Sequence, residues 1–248
     1  MMKTRYKVLI SFLLGICLIL IGISMGGTIH FHNFSWIENI DIRSSEKRLG
    51  NRIGEFEGIE KLELDCFSNI NMNIYEEDNH HNNTIKVVVG NPHECFEMKQ
   101  SGHTLELEMD HNPLKKHSHD ILSIDIYVPK GYIFNEVDID LSVGKSTLSH
   151  IKTYALKIDN GAGKVDFNDL YCLNELNIDN AAGKVDVSMQ KIIGLDYDVN
   201  IVGGQVMIDG KQYLGMGNYQ SYQGHNTLID IDCTAGSVDI RMEERNYE

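Results

Sequence analysis

Histidine supplies the first candidate chemistry. His111, His117 and His119 share one short stretch with Asp110 and Asp120. Neutral imidazoles beside carboxylates are a donor set that suits Zn²⁺ or a similar ion. A solvated polar loop has the same composition, and that is the expectation here. His93-Glu94-Cys95-Phe96-Glu97 opens like the HExxH zinc-protease motif, but Glu97 stands where the second His is required and no helical pattern surrounds it. No resident metal or cofactor is expected.

Carboxylates are the next candidates. Asp159, Asp166, Asp179 and Asp186 recur beside glycines, as in calcium-binding β-rolls, yet those repeat every nine residues and here a lysine follows the turn glycine. A catalytic carboxylate pair would break a repeat at one level, whereas each of these returns with it, as a structural position does. Four cysteines lie beyond Cys17. Cys66 and Cys233 follow the parity of apolar neighbours and read as small core residues, while a Cys95–Cys172 pairing stays open. Tyr213, Tyr219 and Tyr222, among Gly215, Gly217 and Gly224, could stack on sugar rings or a protein partner, or pack over an open sheet end; capping is the favoured reading.

These residues must be positioned by a repeat. LKIDNGAGKVDFNDL from Leu156 returns as LNIDNAAGKVDVSMQ from Leu176. Leu156 and Ile158, then Val165 and Phe167, alternate with polar residues, so each copy predicts two short strands around a glycine-containing turn. Gly144, Gly163, Gly183, Gly204 and Gly236 mark successive turns, spaced 19, 20, 21 and 32, the last interval carrying an insertion over Asp209 to Thr227. Stacked in register about 4.8 Å apart, the copies give an apolar column of Ile139, Ile158, Ile178, Val199 and Ile231. They also give a column with Asn160 beside Asn180, and an aspartate column at 140, 159, 179 and 232. The expected fold is all-β: a parallel β-solenoid of ~20-residue coils preceded by one N-terminal transmembrane helix.

Residues 1–7 are short and basic, and 8–25 are free of charge. They predict a signal anchor with a cytoplasmic N-terminus and an extracellular C-terminal domain, a cleaved signal peptide being the alternative. Residues 26–57 read as a juxtamembrane spacer and 58–245 as the repeat domain. Net charge is −14; Lys3, Arg5 and Lys7 precede the first carboxylate, so the remainder carries −17. Such a surface excludes a nucleic-acid backbone as partner.

The order of these features resembles the bacterial "putative adhesin" family of β-strand repeat proteins of unknown function. An anchor is followed by an opening strand and turn (LELDCFSNINMNIYEED), a strand ending in Pro-Lys-Gly (IDIYVPKG), and serial Ile-Asp-x-x-x-Gly-x-Val-x-Val coils. The likeness spans about Gly58 to Met242 and implies a solenoid on the outer face of the membrane, in some members tied to envelope stress, with no catalytic residues. The functional expectation is a non-enzymatic binding, scaffold or accessory protein of the cell envelope, held at the cytoplasmic membrane, with an envelope protein or glycan as partner. A carbohydrate-active enzyme on the same fold is the alternative.

Overall fold

Strict alternation of apolar and polar residues makes strands with one buried side, and such strands fill the computed structural model. It describes residues 51–244 apart from 68, 79–83, 91, 93–95, 110–120 and 193. All of these belong to one compact unit, Glu46–Glu248. Among the described residues every regular element is a strand.

Seven coils each contribute one strand to a first face and the next strand to a second. They are β2 (Lys61–Cys66) with β3 (Ile70–Glu77), β6 (Thr104–Met109) with β7 (Leu122–Pro129), and β8 (Phe134–Leu141) with β9 (Lys145–Ser149). Next, β10 (Lys152–Asn160) runs into the first half of the long β11 (Lys164–Asn180), whose second half pairs with β12 (Lys184–Gln190) as the following coil. The last two are β13 (Asp196–Ile201) with β14 (Gln205–Ile208), and β17 (Leu228–Cys233) with β18 (Ser237–Glu243). The first face takes the order β6, β2, β8, β10, β11, β17, β13, all parallel. The second takes β7, β3, β9, β11, β12, β18, β14.

Ile139, Ile158, Ile178, Ile231 and Val199 stand in one register file and are fully buried between the faces. Each such side chain stabilises by about 1.5–3 kcal/mol. Phe134, Phe167 and Phe96 are the largest side chains of the same core.

The expectation of a parallel β-solenoid is corrected by the pairing as a whole. The sheet is mixed: β1 (Arg52–Glu57) pairs antiparallel with β4 (Thr84–Gly90), which pairs antiparallel with β7, and β5 (Phe96–Ser101) does the same with β6. At the other end β15 (Lys211–Leu214) and β16 (Gly217–Ser221) run antiparallel to β14 and β13. Linked through β11, the two faces form a nearly closed, barrel-like sheet, and its coils are not in chain order. The coil at 61–77 lies inside the one at 104–129, and the coil at 228–243 lies inside the one at 196–208. Two physical reasons account for this. Exposed strand edges invite further pairing, so antiparallel strands cover them. Coils with the same column pattern are equally good neighbours, so the repeat sets register without setting order.

The insertion at 209–227 is therefore the edge cover. Asp209 (φ 46°) and Gly210 (φ 80°) form the two-residue turn between β14 and β15, whose left-handed geometry suits an Asp-Gly pair. The transmembrane helix expected over 8–25 lies outside the described residues, and no described helix is long and apolar enough to cross a membrane.

Candidate functional site

Each coil turns two corners. The corner from first face to second is packed too tightly for side chains. A methyl group on Gly163 would approach the Gly144 carbonyl oxygen to 2.8 Å, and one on Gly183 would overlap the Gly163 carbonyl and the Asn160 amide. Gly236 and Gly204 continue this line, and Gly144 itself sits at φ 114°. Inside it Asn160 Nδ2 donates to Asn180 Oδ1 at 2.8 Å, while both amides also donate to turn carbonyls, Gly163 and Gly183. All five turn glycines are thus framework positions.

The opposite corner, from second face to first, opens into a cleft. His150 and Asp169 occupy equivalent places in adjacent coils, with the His150 amide donating to Asn168 O at 2.9 Å. Both adopt left-handed backbone, φ 62° and 61°, a conformation that costs a non-glycine residue about 1 kcal/mol or more and concentrates at functional sites. Their side chains meet: His150 Nδ1 lies 2.9 Å from Asp169 Oδ2. Beside them Lys152 Nζ donates to Glu76 Oε1 at 2.5 Å.

Burial works against ionisation of Glu76. The Lys152 hydrogen bond, a Gly131 N–H and the charges of Lys152 and Lys130 outweigh it and hold the carboxyl below its ordinary range. Tyr132 donates to Ile59 O and meets the Phe134 ring edge-on, 5.0 Å between centroids, fixing the floor. Tyr75 stacks on Tyr127 at 5.3 Å along the rim and is 41% exposed. The cleft has a volume of about 260 Å³, and a second cavity of about 210 Å³, bounded by Gly131, Tyr171 and Gln190, shares Lys152 with it.

A second charged feature covers the outside of the first face. Asp65, Asp140, Asp159, Asp179 and Asp232 form one column. Desolvation, then the hydrogen bond and charge of Asp159 and the charge of Asp232, push Asp179 up to about 6, with Lys157 opposing. Lys157 Nζ lies 2.5 Å from Asp159 Oδ2 and 3.8 Å from Asp138 Oδ1, so the column carries partial counter-charge. On the second face Lys164 and Lys184 hold Asp166 and Asp186 in the same way.

The three tyrosines of the insertion separate. Tyr213 is interior, 5% exposed, its ring 5.7 Å from Tyr197 and 5.1 Å from Tyr219, with Lys211 Nζ over the Tyr197 and Tyr213 rings at 5.3 and 5.1 Å. Tyr222 is exposed and donates to Asp198 Oδ2 at 2.9 Å. A partner meeting this surface would therefore touch Tyr222, with Tyr213 as packing beneath. His111, His117 and His119 lie outside the described residues, as does Cys95. Cys172 is a buried free thiol.

The cleft is the feature that residue patterns passed over. One signal was present: His150 and Asp169 are 19 residues apart, the same interval as Gly144 and Gly163.

Among solved structures the chain is similar to a "putative cell adhesion protein" from Clostridium sporogenes, with 20% identity, a TM-score of 0.52, and coverage of 78% of this chain and 99% of the other. A "putative adhesin" from Bacteroides fragilis aligns at 12% identity and a TM-score of 0.34 over 77% of this chain and 96% of its own. Another from Parabacteroides merdae aligns at 10% and 0.36, covering 77% and 81%. No family model matches the chain, and no curated protein matches it. The first likeness is one of fold, shared over nearly the whole of the Clostridium protein, and it lies in the same group as the resemblance carried by the repeat motifs.

Proposed function

We propose that this is a non-enzymatic, adhesion-type binding protein of the bacterial cell envelope, which holds an envelope glycan or protein in the cleft at Lys152. The observation that carries the reading is the pairing inside that cleft. Lys152 and Glu76, and His150 and Asp169, are already matched to each other on a rigid corner. Groups so arranged are pre-organised to receive hydrogen bonds from a ligand. Hydrolysis of a glycoside would need a carboxylic acid with a raised pKa as proton donor, and Glu76 is shifted the other way. The fold shared with a protein described as a "putative cell adhesion protein" supports the same class.

The chain works from the outer face of the cytoplasmic membrane, with the uncharged segment 8–25 retained as its anchor and Lys3, Arg5 and Lys7 on the cytoplasmic side. The alternative to adhesion within this reading is an accessory role in envelope stress, which the resemblance of the repeat motifs supports. The test uses the full chain in liposomes, sedimented with purified cell-wall sacculi and with intact cells. Saturable retention that weakens on Lys152→Ala is expected; retention no greater than that of empty liposomes would refute the reading.

A further inference from the structure

We infer that the cleft takes an uncharged saccharide, one ring in each of its two cavities, with Tyr75 as the stacking platform. This deepens the binding reading above and rests on it.

Charge decides the ligand's sign. Each nitrogen group of the cleft is already matched to a carboxylate within it, the Lys152 ammonium to Glu76 at 2.5 Å and the His150 ring to Asp169 at 2.9 Å. A phosphate, sulfate or uronate would meet both carboxylates without an unanswered cation to bind. A hydroxyl both donates and accepts, so a polyol can extend each pairing without disrupting it. The second cavity adds an independent signal: Gln190, on its wall, has a buried Oε1 with no hydrogen-bond partner. A buried acceptor is costly when left unsatisfied, and a ligand hydroxyl is the donor it lacks.

Shape decides the class. Volumes of about 260 and 210 Å³ lie below the roughly 300–1,000 Å³ of a site for a drug-sized ligand. Each therefore suits a single ring, and their common wall at Lys152 suits two linked rings. Tyr75 presents an exposed aromatic face, held in orientation by its stack on Tyr127. The C–H face of a pyranose packs on such a ring, while its hydroxyls turn to the polar wall.

The full chain in lipid nanodiscs would be titrated with N,N′-diacetylchitobiose, cellobiose and maltose, and with a sulfated disaccharide as the charged arm. We expect saturable binding of at least one neutral disaccharide, roughly tenfold weaker in Tyr75→Ala, retained in Tyr75→Trp, and weakened in Gln190→Ala. The unfolding midpoint of Tyr75→Ala should fall by no more than the loss of one ring stack, leaving the variant folded under the binding conditions. No neutral disaccharide binding, preference for the sulfated one, or indifference to Tyr75→Ala would each overturn the inference. If sacculi or cells retain the chain and no neutral saccharide competes, the ligand class fails and the binding reading stands. If nothing is retained, both fall.

Discussion

Asp179 and Asp159 face each other across the parallel β10–β11 pair, and burial together with the neighbouring carboxyl favours a proton on Asp179. The folded pKa of Asp179, about 6, lies above its ordinary value near 3.8. Below that lower value the carboxyl is protonated whether the chain is folded or not. As pH rises from about 4 to about 6 the unfolded chain releases the proton and the folded one retains it, so stability falls, then levels off. Asp179→Asn removes this loss. At pH 7 the variant is expected to be more stable by on the order of 1 kcal/mol, a figure discounted for the solvent reaching this face, with no difference at pH 4. Urea titrations at the two pH values measure it, and a variant weaker than the parent at pH 7 would contradict the account.

Gly183 is held between the Gly163 carbonyl and the Asn160 amide, with no room for a methyl group. Gly183→Ala must push neighbouring coils apart and should cost about 3 kcal/mol. Gly210, in the β14–β15 turn, has open space around it and only the backbone preference to lose. Gly210→Ala should therefore cost about 1 kcal/mol. Denaturation midpoints of the two variants should differ in that order.

Asp196 ties down the return of the insertion. Its carboxylate accepts the backbone N–H groups of Gln223, Gly224 and His225 at 2.7 to 3.1 Å, and His225 Nδ1 at 3.1 Å. The Gln223 N–H, then those of His225 and Gly224 and the His225 side chain, lower its pKa against desolvation. A depressed carboxylate stabilises above its unfolded pKa and loses that contribution as pH falls through the folded one. Asp196→Asn should let the 222–226 segment be cut by protease at neutral pH, and the parent should gain the same sensitivity only in acid. Equal protection of parent and variant at neutral pH would show that the carboxylate is not the tie.

The Cys172 thiol is pushed up to about 11 by burial, against lowering by backbone hydrogen bonds from neighbouring residues. Only the thiolate is nucleophilic. Native protein should thus resist alkylation of Cys172 at pH 8 and react once unfolded in urea, with peptide mass analysis reporting the site.

Register was legible before the fold was. Ile158 and Ile178 stand in identical surroundings in the sequence and in one file in the structure, because side-chain period and turn spacing leave no other register that buries both. The Asn160–Asn180 contact follows from the same spacing. Order was hidden, since Val199 accepts Ile231 as a neighbour as readily as Ile178 would, and only the whole molecule decides. The antiparallel strands were hidden too: Lys211–Leu214 is four residues long and earns its place by covering β14. The cleft was hardest to see. Glu76, His150 and Asp169 come from separate coils, and the left-handed turns at His150 and Asp169 carry no glycine to announce them.

The placement of β17 and β18 within the stack bears on how the molecule behaves under tension. β18 is bonded on one side to β12 and on the other to β14, and β17 likewise to β11 and β13. A strand at the end of a stack unzips one hydrogen bond at a time, but one wedged between two neighbours must shear both ladders together. The same interlock recurs at the far end, where β2 and β3 sit beneath later coils. A pull on the C-terminal end, which would peel an ordinary ribbon from its tip, meets a clasp there, whereas at the N-terminal end β1, laddered among the described residues to β4 alone, peels first.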